Sequence, residues 1–183
     1  KNVYFVASME KLDDVFNTIT SETTEAQIQS LLYNIPAKGT DPVEADAAYQ
    51  VRSQSFLKNL YSTPWEKQET FIGALKDPYQ DVILYHTAAK VDLKWNSAAK
   101  LSGNVSVNNV KSANLSLFKP TANTSATNDN YTVTNAIDEE TMFNGRQVFY
   151  LPQFNTYNVT VGSNVQDGSA AHPLVSFTPA TTN

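Results

Sequence analysis

The chain has 183 residues, no cysteine, 13 basic against 18 acidic residues and a net charge of −5. That length suits one domain burying roughly 70% of its unfolded surface, so no covalent staple is needed. The absence of cysteine excludes disulfides, thiolate metal sites and a cysteine nucleophile, and without a basic surplus no nucleic-acid partner is expected. No run of about 18 apolar residues occurs, so no transmembrane segment is expected. The chain opens at Lys1 with no methionine and no apolar leader, which reads as a processed or excised piece of a longer protein whose export signal, if any, has gone.

Composition shifts near residue 100. Twenty-three of the 31 charged residues precede it, and 13 of the 18 asparagines follow it. Charged residues suit helix surfaces, whereas β-branched residues between turn formers suit strands. A helix-containing first half and a strand-and-turn second half are expected, in a single domain over 1–183. No repeat of 20–50 residues is present, which excludes a solenoid or propeller.

Taken in chain order, Val3–Val6 fits a buried strand. Ser8 then suits a helix N-cap, with Met9, Leu12, Val15, Phe16 and Ile19 at helical spacing on one face. A second helix follows Thr23 or Thr24, with Ile28, Leu31 and Leu32 inward and Pro36 closing it. Asp41-Pro42-Val43-Glu44 has the composition of a helix start, and that helix runs to about Tyr61 with Ala48, Val51, Phe56 and Leu60 inward.

The period then changes to two. Asp81–His86 is an apolar run of β-formers. Lys90–Trp95 alternates strictly, which puts Val91, Leu93 and Trp95 on one face and Lys90, Asp92 and Lys94 on the other. Val105 and Val107; Ala113, Leu115 and Leu117; Tyr131 and Val133; Val148–Leu151; Tyr157–Val161; and Leu174–Phe177 give further strands. Asn144-Gly145 and Asp167-Gly168 read as turns between them. A mainly β chain with a few helices follows, and about eight short strands with turns between them point to a β-sandwich.

Signals for chemistry are weak. His86 sits in an expected strand and His172 before a proline, with no metal-ligand spacing around either. Asp138-Glu139-Glu140 is the densest acid cluster, but adjacent carboxylates on one loop do not face each other across a sugar, and a solvated turn accounts for them better. Asp13-Asp14 reads as a solvated helix face. No GxGxxG, GxxxxGK or GxSxG occurs among the six glycines, which removes the common phosphate cradles and the nucleophile elbow. The chain is not expected to be an enzyme, and no cofactor or metal is implied. Trp65, Tyr79 and Tyr157 are candidates for a sugar-stacking platform, while Trp95, Phe118 and Phe149 are expected in the core. The sequons at Asn104, Asn114, Asn123, Asn130 and Asn158 follow from the Asn/Thr-rich composition.

The strings HTAAKVDLKWN (86–96) and GRQVFYLPQFNTYNV (145–159), with the strand pair from Val105 to Leu117 between them, resemble the Bacteroidales fimbrillin-like proteins, the type V pilins and their accessory subunits. Val3–Ser8 followed by a helix is similar to the first strand and helix of that family's N-terminal domain. The resemblance implies a transthyretin-like β-sandwich, export to the cell surface through an outer-membrane lipoprotein precursor, and assembly into a fimbrium by β-strand exchange. Its partners are then other fimbrial subunits that donate a strand, with a host protein or glycan as an adhesion target. Val91, Leu93 and Trp95 are the candidate wall of the groove that receives the strand. The sequence departs from the family in lacking a lipobox cysteine, a removable strand before Lys1 and a second domain after Asn183. Pro152-Gln153-Phe154 also stands where the family has a glutamate-asparagine pair. A secreted carbohydrate-binding β-sandwich is the alternative reading.

Overall fold

The computed structural model describes residues 2–63, 69–70, 82–119, 121, 130–164 and 175–179. The protein is mainly β, with antiparallel strand pairing throughout several small sheets and three helices among the described residues. In chain order the first elements are β1 (Asn2–Val3), β2 (Val6–Ala7), α1 (Asp13–Phe16), α2 (Glu25–Gln29), β3 (Leu32–Tyr33) and α3 (Asp46–Lys58). They are followed by β4 (Tyr61–Ser62), β5 (Glu69–Thr70), β6 (Tyr85–His86), β7 (Ala88–Asn96) and β8 (Leu101–Lys111). The last are β9 (Leu115–Ser116), β10 (Asn130–Ala136), β11 (Asn144–Pro152), β12 (Tyr157–Asn164) and β13 (Val175–Phe177). The chain divides into two compact units, one of Lys1–Ala88 with Ala113–Thr121 and one of Ala89–Ser112 with Ala122–Asn183.

The first unit carries all three helices and the shortest strands. β4 lies between β2 and β6, β1 pairs with β5, and β3 pairs with β9 through Leu32↔Ser116 and Tyr33↔Leu115. Tyr33, Ile35, Phe56, Leu57, Leu60, Leu115, Leu117 and Phe118 are buried, each large side chain contributing about 1.5–3 kcal/mol relative to exposure. The rings of Tyr33 and Phe56 stand 6.1 Å apart.

Several helical expectations are corrected here. Val3–Val6 is not one strand, since β1 and β2 are separate and pair with different partners. No helix follows Ser8: its hydroxyl accepts the Glu10 N–H at 3.1 Å in a local turn that competes with helix. α1 begins only at Asp13, and Met9 is 76% exposed. α2 starts where expected, because Thr24 and Gln27 form a reciprocal capping box. It stops at Gln29, since Leu32 and Tyr33 are drawn into pairing with β9, which leaves Leu32 exposed. α3 begins at Asp46, later than expected, because Glu44 is held outside the helix by Arg52 and the Gly39 N–H. Its buried face is Ser53, Phe56 and Leu57, while Val51 is 72% exposed. Ser53 tolerates burial because its hydroxyl donates to the Gln50 carbonyl at 3.0 Å.

The second unit is built on a four-stranded antiparallel sheet in the order β10-β8-β12-β13. Val107 is paired with Val133 on one side and Val159 on the other, so valines line one face across three strands. Val107 and Val110 would point to opposite faces in a regular strand. Asn109, at φ 64°, absorbs the extra residue as a bulge, and both valines are fully buried. A second register shift lies opposite Val161–Ser163, where Gly103 and Gly162 take positive φ. β7 and β11 form a separate two-stranded ribbon. Phe149 and Leu151 of β11 join Leu101, Val105, Val107, Val110, Val133, Tyr157, Val159 and Val161 in one core, with Val91, Leu93 and Trp95 packed against it.

Candidate functional site

β7 carries the candidate groove residues. The expected faces are present: Val91, Leu93 and Trp95 are half-buried toward the core, and Lys90, Asp92 and Lys94 are exposed. Strict alternation fixes this register, because a slip of one residue would bury three charges. Among the described residues β7 has one strand neighbour, β11. Its core-facing side chains therefore lie beside an edge against which no described strand is paired.

Trp95 is tied down from two directions. Its indole N–H donates to the Thr141 carbonyl at 2.9 Å. Its ring also fills the space that a side chain at Gly145 would occupy. Asn144-Gly145 is thus not the expected turn. It opens β11, and the alternation of β11 continues inward through Gly145, Gln147, Phe149 and Leu151. The opposite face is held by Arg146, whose Nε and Nη2 donate to the two Asp92 oxygens at 2.8 and 2.9 Å. That fork holds the Asp92 carboxyl below its usual value and raises the Arg146 guanidinium. The pair is solvated, so its role is register more than stability.

At the other end of β11, Pro152-Gln153-Phe154-Asn155 forms a tight corner. Phe154 has φ 61°, and its N–H donates to the Pro179 carbonyl at 2.8 Å. The fully buried Tyr157 turns its hydroxyl back onto the Pro152 carbonyl at 2.6 Å. Gln153 is 6% exposed, and its Oε1 has no hydrogen-bond partner among the described residues. Burial of Tyr157 removes it from any sugar-stacking platform: strand alternation turns it inward, against Phe177 at 5.9 Å. Phe118 and Phe149 are core residues as expected. Trp65, Tyr79, His172, Asn123 and Asp167-Gly168 lie outside the described residues.

The acidic groups singled out by the sequence are solvated. Asp138 Oδ1 accepts from the Glu140 and Thr141 N–H groups and from the Thr141 hydroxyl at 2.8 Å, bonds that lower its carboxyl, Thr141's foremost. The acid cluster is thus a closed turn, with Glu139 and Glu140 exposed. Asp13 and Asp14 are exposed on α1. His86 lies in β6 as expected, exposed and 4.3 Å from the ring of Tyr61. Asn114 is not within a strand but precedes β9 at φ 57°. Among the described residues no three His, Asp or Glu side chains are grouped so as to hold a metal, and no helix is long and apolar enough to cross a membrane.

Three features escaped sequence reading: the seat of Trp95 on Gly145, the Tyr157–Pro152 tie and the Arg52–Glu44 fork. The first had a readable signal, because alternation through residues 145–151 competes with the Asn-Gly turn signature. Comparison with protein-family models, with curated proteins and with solved structures finds no match to this chain.

Proposed function

We propose that this chain is a fimbrial or cell-surface subunit that assembles by accepting a β-strand beside β7, and that it is not an enzyme. The observation that carries this reading is the half-burial of Val91, Leu93 and Trp95 along a strand whose only described neighbour is β11. An added strand would complete main-chain hydrogen bonding and cover those three side chains, which is the physics of β-augmentation. The two sheets around one core in the second unit support a transthyretin-like β-sandwich as the receiving fold. The fimbrillin-like resemblance covers Val3–Ser8, β7, the Val105–Leu117 segment, β11 and the start of β12, and from it follow the wider assignments. These are export through an outer-membrane lipoprotein precursor, other fimbrial subunits as strand donors, and a host protein or glycan as adhesion target.

The test is strand addition. Synthetic strands of alternating apolar residues, titrated into the intact chain, are expected to raise the melting temperature with concentration and to slow amide exchange along β7. An unchanged melting temperature together with β7 amides already protected in the free chain would overturn the reading.

A further inference from the structure

The first unit holds a cleft of about 360 Å³ between α1 and α2, distant in sequence from every residue invoked for strand addition. It is lined by the polar Asp14, Thr18, Thr23, Gln27 and Ser30 and by the apolar Val15, Leu31 and Leu32. A volume of this order accommodates a small molecule.

Four of the polar groups are oriented by bonds they already make. Gln27 Oε1 accepts from the Thr24 N–H at 2.8 Å and the Thr24 hydroxyl at 3.0 Å, which leaves its amide hydrogens to donate. Thr23 Oγ1 accepts the Thr20 N–H at 2.8 Å, so its own proton remains to be given. Thr18 and Ser30 have the reverse commitment. Their hydroxyl protons go to the Val15 carbonyl at 2.7 Å and the Gln27 carbonyl at 3.1 Å, which leaves lone pairs to accept. Asp14 accepts only. Donors and acceptors thus both stand among apolar side chains, and no lysine, arginine or histidine lines the cleft.

A phosphate or carboxylate would find no cation here and would meet Asp14. An apolar ligand would offer no partner to the donors and acceptors that these groups still have open. A ligand whose hydroxyls both give and receive hydrogen bonds, with a C–H face for Leu31 and Leu32, satisfies every group. We infer that this cleft is a binding site for a neutral sugar unit, with Asp14 accepting from adjacent hydroxyls and Gln27 donating to the ring substituents. The site stands independently of strand addition, because the two share no residue.

The experiment uses the intact chain and the methyl glycosides of glucose, galactose and mannose, followed by backbone amide NMR. At least one glycoside is expected to bind saturably in the millimolar range, with shift changes centred on residues 14–32. Asp14→Asn and Thr18→Val are each expected to weaken that binding about tenfold, as loss of one hydrogen bond to a charged or fixed partner implies. Asp14 is exposed, so Asp14→Asn is expected to melt with wild type and decides the matter if Thr18→Val proves unstable. No shift with any of the three glycosides, or equal affinity in wild type and Asp14→Asn, overturns the assignment. So does a response to ethanolamine that the glycosides fail to produce, which would make the cleft a cation site at Asp14.

Discussion

Trp95 and Gly145 are a matched pair across the β7–β11 ribbon: the indole fills the volume that any side chain at 145 would need. The ring is the near obstacle, and its N–H is committed to the Thr141 carbonyl. Gly145→Val should therefore expel the indole from its seat, an overpacking cost of about 1–3 kcal/mol. In a Trp65→Phe background, tryptophan emission should move to longer wavelength, and urea unfolding should give the loss of stability. Unchanged emission would show that Trp95 does not depend on Gly145. Trp95→Ala should cost less than the roughly 3–5 kcal/mol of a fully buried aromatic, because the ring is only half-buried.

Tyr157 is fully buried, and its hydroxyl reaches the Pro152 carbonyl. Tyr157→Phe keeps the ring against Phe177 but leaves a buried carbonyl short of that donor. The expected loss is about 1–3 kcal/mol, read as a lower urea midpoint with an unchanged slope. A midpoint within error of wild type would mean that water replaces the hydroxyl.

Glu44 is held to a pKa of about 2, chiefly by hydrogen bonds from Arg52 and then by the Gly39 N–H, against an ordinary value of 4.5. The folded value is the lower one, so the folded state favours the carboxylate. That contribution is fully present above 4.5 and is lost as pH falls toward 2. Carbon-detected NMR should find the Glu44 carboxyl titrating near the lower value, and Arg52→Met should return it toward 4.5. A wild-type midpoint above 4 would contradict the fork.

Legibility followed the range of the forces involved. β7, β8 and β12 could be read because one face is buried, so that the period of two is enforced along Val91-Leu93-Trp95 and, between the bulges of β8, at Val105-Val107. α2 could be read because its capping box is local. The first-half helices were misjudged where distant partners decided the outcome. Arg52, eight residues away, withdrew Glu44 from the helix start, and β9 claimed Leu32 from more than eighty residues downstream. Bulges have no composition signal beyond a left-handed residue such as Asn109, and Trp95 overrode the Asn144-Gly145 turn signature through packing alone. Of the candidate groove, the face was legible and the neighbouring edge was not, because sheet order depends on pairing between segments far apart in the chain.

Lys90 and Lys94 stand exposed on β7, where a single described neighbour leaves one edge for further pairing. Charged side chains on such an edge, lysine above all, oppose unplanned strand addition, because a second chain arriving there must desolvate them or bring like charges together. Asp92, between them, spends its hydrogen bonds on Arg146, and that cation leaves the exposed face of the β7–β11 pair net positive. Replacing both lysines by threonine keeps β propensity and removes two charges without touching the core-facing residues. The double variant should therefore keep the wild-type melting temperature when dilute and self-associate as concentration rises, seen as growing mass in light scattering. Val91→Lys in the same background should reverse that association, since it places a charge on the face an added strand must cover. A double variant that stays monomeric at every concentration would mean that this edge is closed by something other than charge.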